Sequence, residues 1–528
     1  MTKIFNIGGA LLIGLLDWME GSLFFRFVVR FFDFVKKVAA GSLILGIFIA
    51  PINEKEKRMV FFEGVVAKVL NNRFKPVKMP KLLPQFLSGF LSKSLIVENI
   101  SNGLSVPIPA GGKAGAKQVF MWLFFAAPAW GTLLLVALTP VLPTMNLAFL
   151  LVFVIFFAFL SRKFEVNHYT TVLFLFMFVN FFAAITGFTK IQSLEIALLV
   201  SVFAFVSVLI PTVCEKTESI GFFLLAFLAG ATVAGLVGIY QHLAGYAAGA
   251  WLDEVLRVYI TFRVFSTFGN PNVYGIYLLL AIPLAAVCVL YFKNKFLKLL
   301  CAAVTLLLLA NLLVTYSRGS YLALAFSLGV FVLLIEKRFI VLLLPAFVAS
   351  LFVLPQSVII RLRSILDFQD TSTAFRLSIW EGSARVLRDF WFTGIGQGSG
   401  AFSQVYPFYS LAATPTIHSH NLFLQMAIEL GVFGLLVFIV LMACYFRMMA
   451  NFLVGAKNLR QKFLAAVFIA APCGVLLQGL FDHVFFSYRV LLSFFIFAGI
   501  GMACYKLYVS QHDSNVTPAE NIILTEKT

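Results

Sequence analysis

QVFMWLFFAAPAWGTLLLVAL, residues 118–138, contains no Asp, Glu, Lys or Arg. It matches the roughly 20 residues that a helix needs to cross about 30 Å of hydrocarbon. Runs of the same kind recur along the chain as far as VLLSFFIFAGIGMACYKLY, residues 490–508. With 61% hydrophobic and 12% charged residues and a mean hydropathy of +0.97, the chain departs from a soluble domain's make-up of about half apolar and a quarter charged residues. It reads as an integral membrane protein.

Working outward from 118–138, apolar runs predict spans at 143–161, 168–188, 192–212, 220–241, 272–291, 299–316, 319–335, 339–354, 419–446, 463–480 and 490–508. The expected fold class is an all-α polytopic membrane protein of about 12 transmembrane helices, with a long extracytoplasmic loop, 355–418, before the tenth. The net charge of +17 invites a nucleic-acid reading, but the basic residues of the apolar part sit in short loops. Lys113 and Lys117 precede the first span, Arg162 and Lys163 follow the second, and Lys216 follows the fourth. KNKFLK (293–298) follows the sixth, Lys337 and Arg338 the eighth, and Arg447 to Lys462 the tenth. Every second loop carries lysine, Lys190 being the one exception, as cytoplasmic loops do. This places both termini inside and makes membrane lipid, not nucleic acid, the expected surroundings.

The larger of the remaining loops, 242–271, the Ser317–Gly319 turn, 355–418 and 481–489, then share the extracytoplasmic face. Residues 1–117 are expected to form a cytoplasmic, membrane-associated extension, or else to hide one more span or a re-entrant hairpin: LFFRFVVRFFDFVKKV (23–38) mixes aromatic and basic residues as interfacial helices do. The polytopic domain is 118–508, and 509–528 is a polar, disordered cytoplasmic tail. The six cysteines show no metal-ligand spacing and read as small apolar residues.

Chemistry gathers on the extracytoplasmic loops. HSHNLFLQMAIELGVFG (418–434) sets His420 and Asn421 at the mouth of an apolar helix. An imidazole there is suited to proton transfer near neutrality, or else simply caps the helix. Between Pro355 and His418 the basic side chains before the terminal histidine are all arginines: Arg361, Arg363, Arg376, Arg385 and Arg388. Their planar forks match phosphate oxygens. On a helix expected at 374–389, Glu381–Arg385 and Arg385–Asp389 have ion-pair spacing. Arg376 has no acid three or four positions away and lies one turn from Trp380, which makes it the arginine to assign to a substrate.

Arg318, in TYSRGSYLALA (315–325), lies between two spans with only a turn around it. It either snorkels to headgroups or binds an anion. Asn270, in FSTFGNPNVYG (265–275), either caps the following helix or meets sugar hydroxyls. GIGQGSGAF (394–402) lacks the strand and the GK[ST] ending of a nucleotide loop and reads as a flexible turn. Asp482 and His483, with Arg489 close by, are open between capping, a local ion pair and a site role.

TYSRGSYLALA, the 374–402 segment and HSHNLFLQMAIELGVFG, in this order and with FGNPN before them, resemble the O-antigen ligase/polymerase superfamily of bacterial membrane glycosyltransferases. The resemblance implies a GT-C-type fold in the bacterial cytoplasmic (inner) membrane, with its active face extracytoplasmic. It implies transfer of a glycan from a polyprenyl-diphosphate carrier to an acceptor glycan, lipid or protein, without metal or cofactor. Carried over residue by residue, Arg318 and Arg376 would stabilise the diphosphate and His420 would activate the acceptor hydroxyl, with Asn270, Asn421 and Trp380 as substrate contacts. Ligase and polymerase are not separated by these motifs. A membrane solute transporter is the competing class. Transporters typically keep their binding groups near the midplane and show repeated halves, and this sequence does neither detectably.

Overall fold

A computed structural model describes residues 116–162, 164–165, 167–246, 262–342, 345, 349, 355–363, 371–410 and 416–510. The expected extension 1–117 and tail 509–528 lie outside the described residues, apart from 116–117 and 509–510. Among the described residues all regular structure is helical. The helices are α1 (Ala116–Leu138), α2 (Thr144–Ser161), α3 (His168–Thr186), α4 (Lys190–Val213), α5 (Thr217–Leu243), α6 (Pro271–Tyr291), α7 (Lys295–Thr315) and α8 (Arg318–Ile335). Then follow α9 (Gln356–Arg363), α10 (Thr371–Phe390), α11 (Ser399–Val405), α12 (Leu422–Val454), α13 (Leu459–Gln478) and α14 (Tyr488–Tyr505).

Nine of these described helices, α3 to α8 and α12 to α14, are long and apolar enough to cross a membrane. The chain is a multi-pass membrane protein. α1 and α2 cover the first two predicted spans and are apolar where their side chains are described. Most of the predicted ninth span, 339–354, lies outside the described residues. The expected loop 355–418 is largely helical where described: α10 covers the helix predicted at 374–389, and α9 and α11 flank it.

The chain divides into two compact units, 1–128 with 156–171 and 129–155 with 172–528. In the first, Asn167 and Thr170 make reciprocal backbone-to-side-chain hydrogen bonds at the start of α3, of 2.7 and 3.0 Å. The second holds the rest of the bundle around α14. That helix is apolar on all sides, the signature of a fully surrounded helix, and 89% of its span is buried, chiefly against α4 and also against α12, α13 and α6. Small residues set the close crossings, as lipid-embedded helices require. A Cβ added to Gly474 of α13 would sit 2.8 Å from the Ala323 carbonyl of α8. Polar side chains add interhelical bonds, such as Asn311 Nδ2 of α7 donating to the Gly235 carbonyl of α5 at 3.0 Å.

Seven helix ends of this unit converge at one end of the bundle: the starts of α6, α8, α12 and α14 and the ends of α5, α7 and α13. Their connections interlock there. Arg263, 4% exposed, donates from Nε to the Thr315 carbonyl at 2.7 Å and from Nη2 to Asn272 Oδ1 at 2.8 Å. Leu422 N–H donates to the Gly479 carbonyl at 2.7 Å, and Arg489 donates to the Thr267 carbonyl at 2.6 Å while lying over the Phe268 ring. At the opposite end, lysines hold helix C-termini: Lys462 donates to the Ile335 carbonyl and Lys506 to that of Pro211. Cations there meet the negative end of the helix dipole.

Candidate active site

The site begins where the chain turns into α12. Asn421 caps that helix, accepting from Leu424 N–H at 2.9 Å through Oδ1 and donating from Nδ2 to the Leu480 carbonyl at 2.9 Å. Just before it, His420 sits in the left-handed region at φ 52, a conformation that histidine tolerates better than most side chains. Local bonds hold the turn. His420 N–H donates to His418 Nδ1 at 3.2 Å, Ser419 N–H to Gln425 Oε1 at 2.7 Å, and Thr416 Oγ1 to the His418 carbonyl at 2.8 Å.

The turn brings His420 Nδ1 to 3.3 Å from Asp482 Oδ1, on the connection between α13 and α14. Burial alone would raise the Asp482 carboxyl. The hydrogen bond and charge of His420, with the charges of Arg376 and His418, outweigh it and hold the carboxyl down to about 2. An ionised Asp482 only accepts, so the proton of a neutral His420 resides on Nδ1 and the lone pair on Nε2. Burial lowers His418 to about 4, helped by the charges of His420 and Arg376. It lowers His483 to about 3, helped by His418 and His420. Both flanking imidazoles are therefore neutral near pH 7. The rings of His418 and His420 lie 4.1 Å apart and those of His418 and His483 5.7 Å apart.

Arg376, in the first turns of α10, is half-buried and close enough for its charge to act on Asp482 and His418. The ring of its neighbour Phe375 packs against that of His420 in a T-shaped arrangement, with centroids 6.3 Å apart. Among the described residues the ion pairs of α10 do not involve Arg376: Arg385 pairs with Glu381 at 3.1 Å and Arg388 with Asp389 at 3.2 Å. The expected Arg385–Asp389 pair does not form, because Asp389 is taken by Arg388 and by the Tyr409 hydroxyl at 2.9 Å.

His418, His420, Asp482 and His483 line a cavity of about 1140 Å³ whose wall also includes Asn270, Asn272 and the Phe268, Phe375 and Phe486 rings. Asn270 is the N-cap of α6, its Oδ1 accepting from Asn272 and Val273 N–H at 2.8 and 3.4 Å. Arg318, Arg376, Trp380 and Asn421 stand outside the lining. Arg318 opens α8, after Tyr316 has ended α7 in the left-handed conformation. The Tyr316 carbonyl accepts from Arg361 Nε at 3.2 Å, and its hydroxyl meets Ser357 at 3.1 Å. Trp380 is half-buried, and its indole N–H has no hydrogen-bond partner among the described residues. Arg489 turns to Thr267 and Phe268, so the acid-base pairing open in the sequence falls to Asp482 and His420 instead.

Behind the histidines, α12 breaks at Gly431, where φ is 74 and ψ 169. Val432 N–H is diverted to the Trp391 carbonyl at 2.7 Å, and N–H groups of the glycine-rich turn replace the lost helical donors: Ile395 to the Ile428 carbonyl at 2.9 Å and Gly396 to that of Glu429 at 3.2 Å. Freed carbonyls at membrane depth need such substitutes. Glu429 Oε1 accepts from Gly398 N–H at 3.1 Å and from Gln425 Nε2 at 2.9 Å. Gln425 in turn holds Ser419, so one chain of bonds runs from the 394–402 turn to the histidine loop. GIGQGSGAF is thus a structural seam, with φ of 68 to 92 at Gly394, Gly396 and Gly398.

His418, Asp482 and the Gln425–Glu429 link were not assigned to the site by sequence reasoning. The H-x-H doublet was the available signal for His418, whereas nothing local marks Asp482, 62 positions after His420, as its partner. His418, His420 and Asp482 also offer three ligand atoms within 4.8 Å of one another, the set most suited to a metal among the described residues. Here His418 Nδ1 accepts from His420 N–H and His420 Nδ1 bonds Asp482, so both atoms already serve internal hydrogen bonds.

Residues 303–439 match a family model described as O-antigen ligase. The match includes Arg318, Arg376, Trp380, His420 and Asn421 and supports the O-antigen ligase/polymerase superfamily. This is a family of membrane proteins that act in polysaccharide assembly as glycosyltransferase-type enzymes. No curated protein matches the chain.

Proposed function

We propose that the protein transfers a glycan from a polyprenyl-diphosphate carrier to an acceptor hydroxyl, as a metal-independent ligase or polymerase of GT-C type. Its active face is the extracytoplasmic side of a bacterial cytoplasmic membrane. The observation that carries this reading is the His420–Asp482 pair on the wall of the large cavity, with the positive charge of Arg376 acting on the same groups.

The acceptor oxygen attacks the anomeric carbon while His420 Nε2 takes its proton. The bond from that carbon to the diphosphate oxygen breaks, and polyprenyl diphosphate leaves with the electron pair. Asp482 holds the imidazole and offsets the imidazolium charge. Arg376 and Arg318 stabilise the charge growing on the leaving group. Attack opposite the leaving group inverts the anomeric centre, and a product of retained configuration would overturn this course. Asn421 supports the site chiefly by fixing the turn that presents His420. Residues 1–117 are assigned to a cytoplasmic membrane-associated extension and 509–528 to a tail.

The test is glycan output in cells deleted for this protein and complemented with wild type, Arg376→Ala or His420→Ala at matched membrane abundance. Accumulated lipid-diphosphate-linked glycan that wild type clears and neither variant clears is the expected result. Loss of the general base corresponds to about 10²- to 10⁴-fold in rate. Full rescue by both variants removes the transfer site and puts transport first.

A further inference from the structure

We infer that Asn272, with Asn270, forms a two-donor subsite on the cavity wall that binds acceptor-only oxygens of the glycan donor, and that Arg263 is its positioning residue. The inference rests on the proposed transfer reaction and names a part of its donor site. Both amides line the cavity, and in both the oxygen is already committed inward. Asn270 Oδ1 accepts from Asn272 and Val273 N–H, and Asn272 Oδ1 accepts from Arg263 Nη2 at 2.8 Å. Backbone N–H and guanidinium groups are donors only, so neither amide can flip. Each Nδ2 is left, among the described residues, without a protein acceptor.

With their oxygens taken by protein donors, these two cavity-lining side chains offer N–H donors and no acceptor, which suits an oxygen that carries no proton of its own. The guanidinium behind Asn272 polarises its amide and strengthens the donor. Phosphoryl oxygens of the diphosphate and the carbonyl of an acetamido sugar share this chemistry.

Aspartate at either position keeps the inward oxygen, and with it the Arg263 contact or the helix cap, while deleting the outward donor. Transfer by membranes containing wild type, Asn272→Asp, Asn270→Asp or His420→Ala is measured against donor concentration, with sodium pyrophosphate as competitor and thermal unfolding of each purified full-length variant as the folding control. The expected result is a KM for donor raised about tenfold or more in Asn272→Asp, with a smaller change in kcat and an unfolding temperature close to wild type. A parallel loss of pyrophosphate inhibition places the oxygens on the diphosphate; unchanged inhibition places them on the glycan. Wild-type KM in both Asp variants beside an inactive His420→Ala overturns the subsite alone. Wild-type transfer by all three variants overturns the reaction and the subsite together. If Asn272→Asp unfolds, Asn270→Asp, which keeps the α6 cap, decides by the same KM criterion.

Discussion

His420 and Asp482 work as a unit only while the carboxylate stays charged, and its surroundings keep it so. Asp482→Asn keeps the shape but removes the charge that offsets an imidazolium. Transfer should fall by about 10²-fold or more at neutral pH, measured as initial rate at matched membrane abundance. The flanking histidines set a pH limit on stability. Their folded values, about 4 for His418 and about 3 for His483, lie below the ordinary 6.5, so between these values the unfolded chain binds more protons than the folded one. Stability is full above about 6.5 and declines as pH falls, by up to about 1.4 kcal/mol per pH unit for each histidine. Asp482 adds a second loss as pH falls from about 3.9 towards 2, because its folded value is also depressed. Unfolding temperatures of the purified protein should be level near pH 7 and fall as pH drops from about 6.5 to 4, and His418→Phe should flatten that slope; an unchanged slope would remove the buried neutral histidine from the account. His420 and Arg376 were legible as residue types because each is costly at a membrane boundary without a role. Asp482 was not, because its meaning lies in its partner.

At the scale of elements, α10 separates two kinds of arginine. Arg385 makes an exposed pair with Glu381, and Arg385→Ala should change stability by less than about 1 kcal/mol and leave transfer near wild type. Arg376→Ala should abolish transfer while leaving unfolding temperature little changed, and equal effects of the two substitutions would reject the distinction. α12 depends on its break. Gly431 sits at positive φ, and a Cβ there would lie 2.4 Å from the Phe392 carbonyl. Gly431→Ala therefore combines backbone strain of about 1–3 kcal/mol with a clash against the α10–α11 connection. A clear drop in unfolding temperature is expected, and a wild-type melting curve would show that the break is optional. The apolar period revealed α12 as a span, yet it could not reveal the break, because the donors that repair it come from residues 395–396.

For the whole molecule, the two ends of the bundle carry different chemistry. Arginines, histidines and amides gather where α6, α8, α12 and α14 begin, and lysines hold the opposite helix ends. Under the proposed topology, a cysteine at Ser487 in a background lacking the native cysteines should react with an impermeant maleimide in intact cells. One at Lys457 should react only after permeabilisation; the reverse pattern would invert the orientation. Sequence alone determined that the chain is helical and membrane-embedded, where most spans fall, and that His420, Arg376 and Arg318 need explanations, because hydrocarbon imposes length, apolarity and a cost on charge that are written locally. Tertiary structure decided which of these groups share a cavity, that Asp482 partners His420, that protein donors take the side-chain oxygens of both Asn270 and Asn272, and that the glycine run is a seam. Those facts depend on contacts between residues far apart in the chain, and no local pattern encodes which helix ends meet.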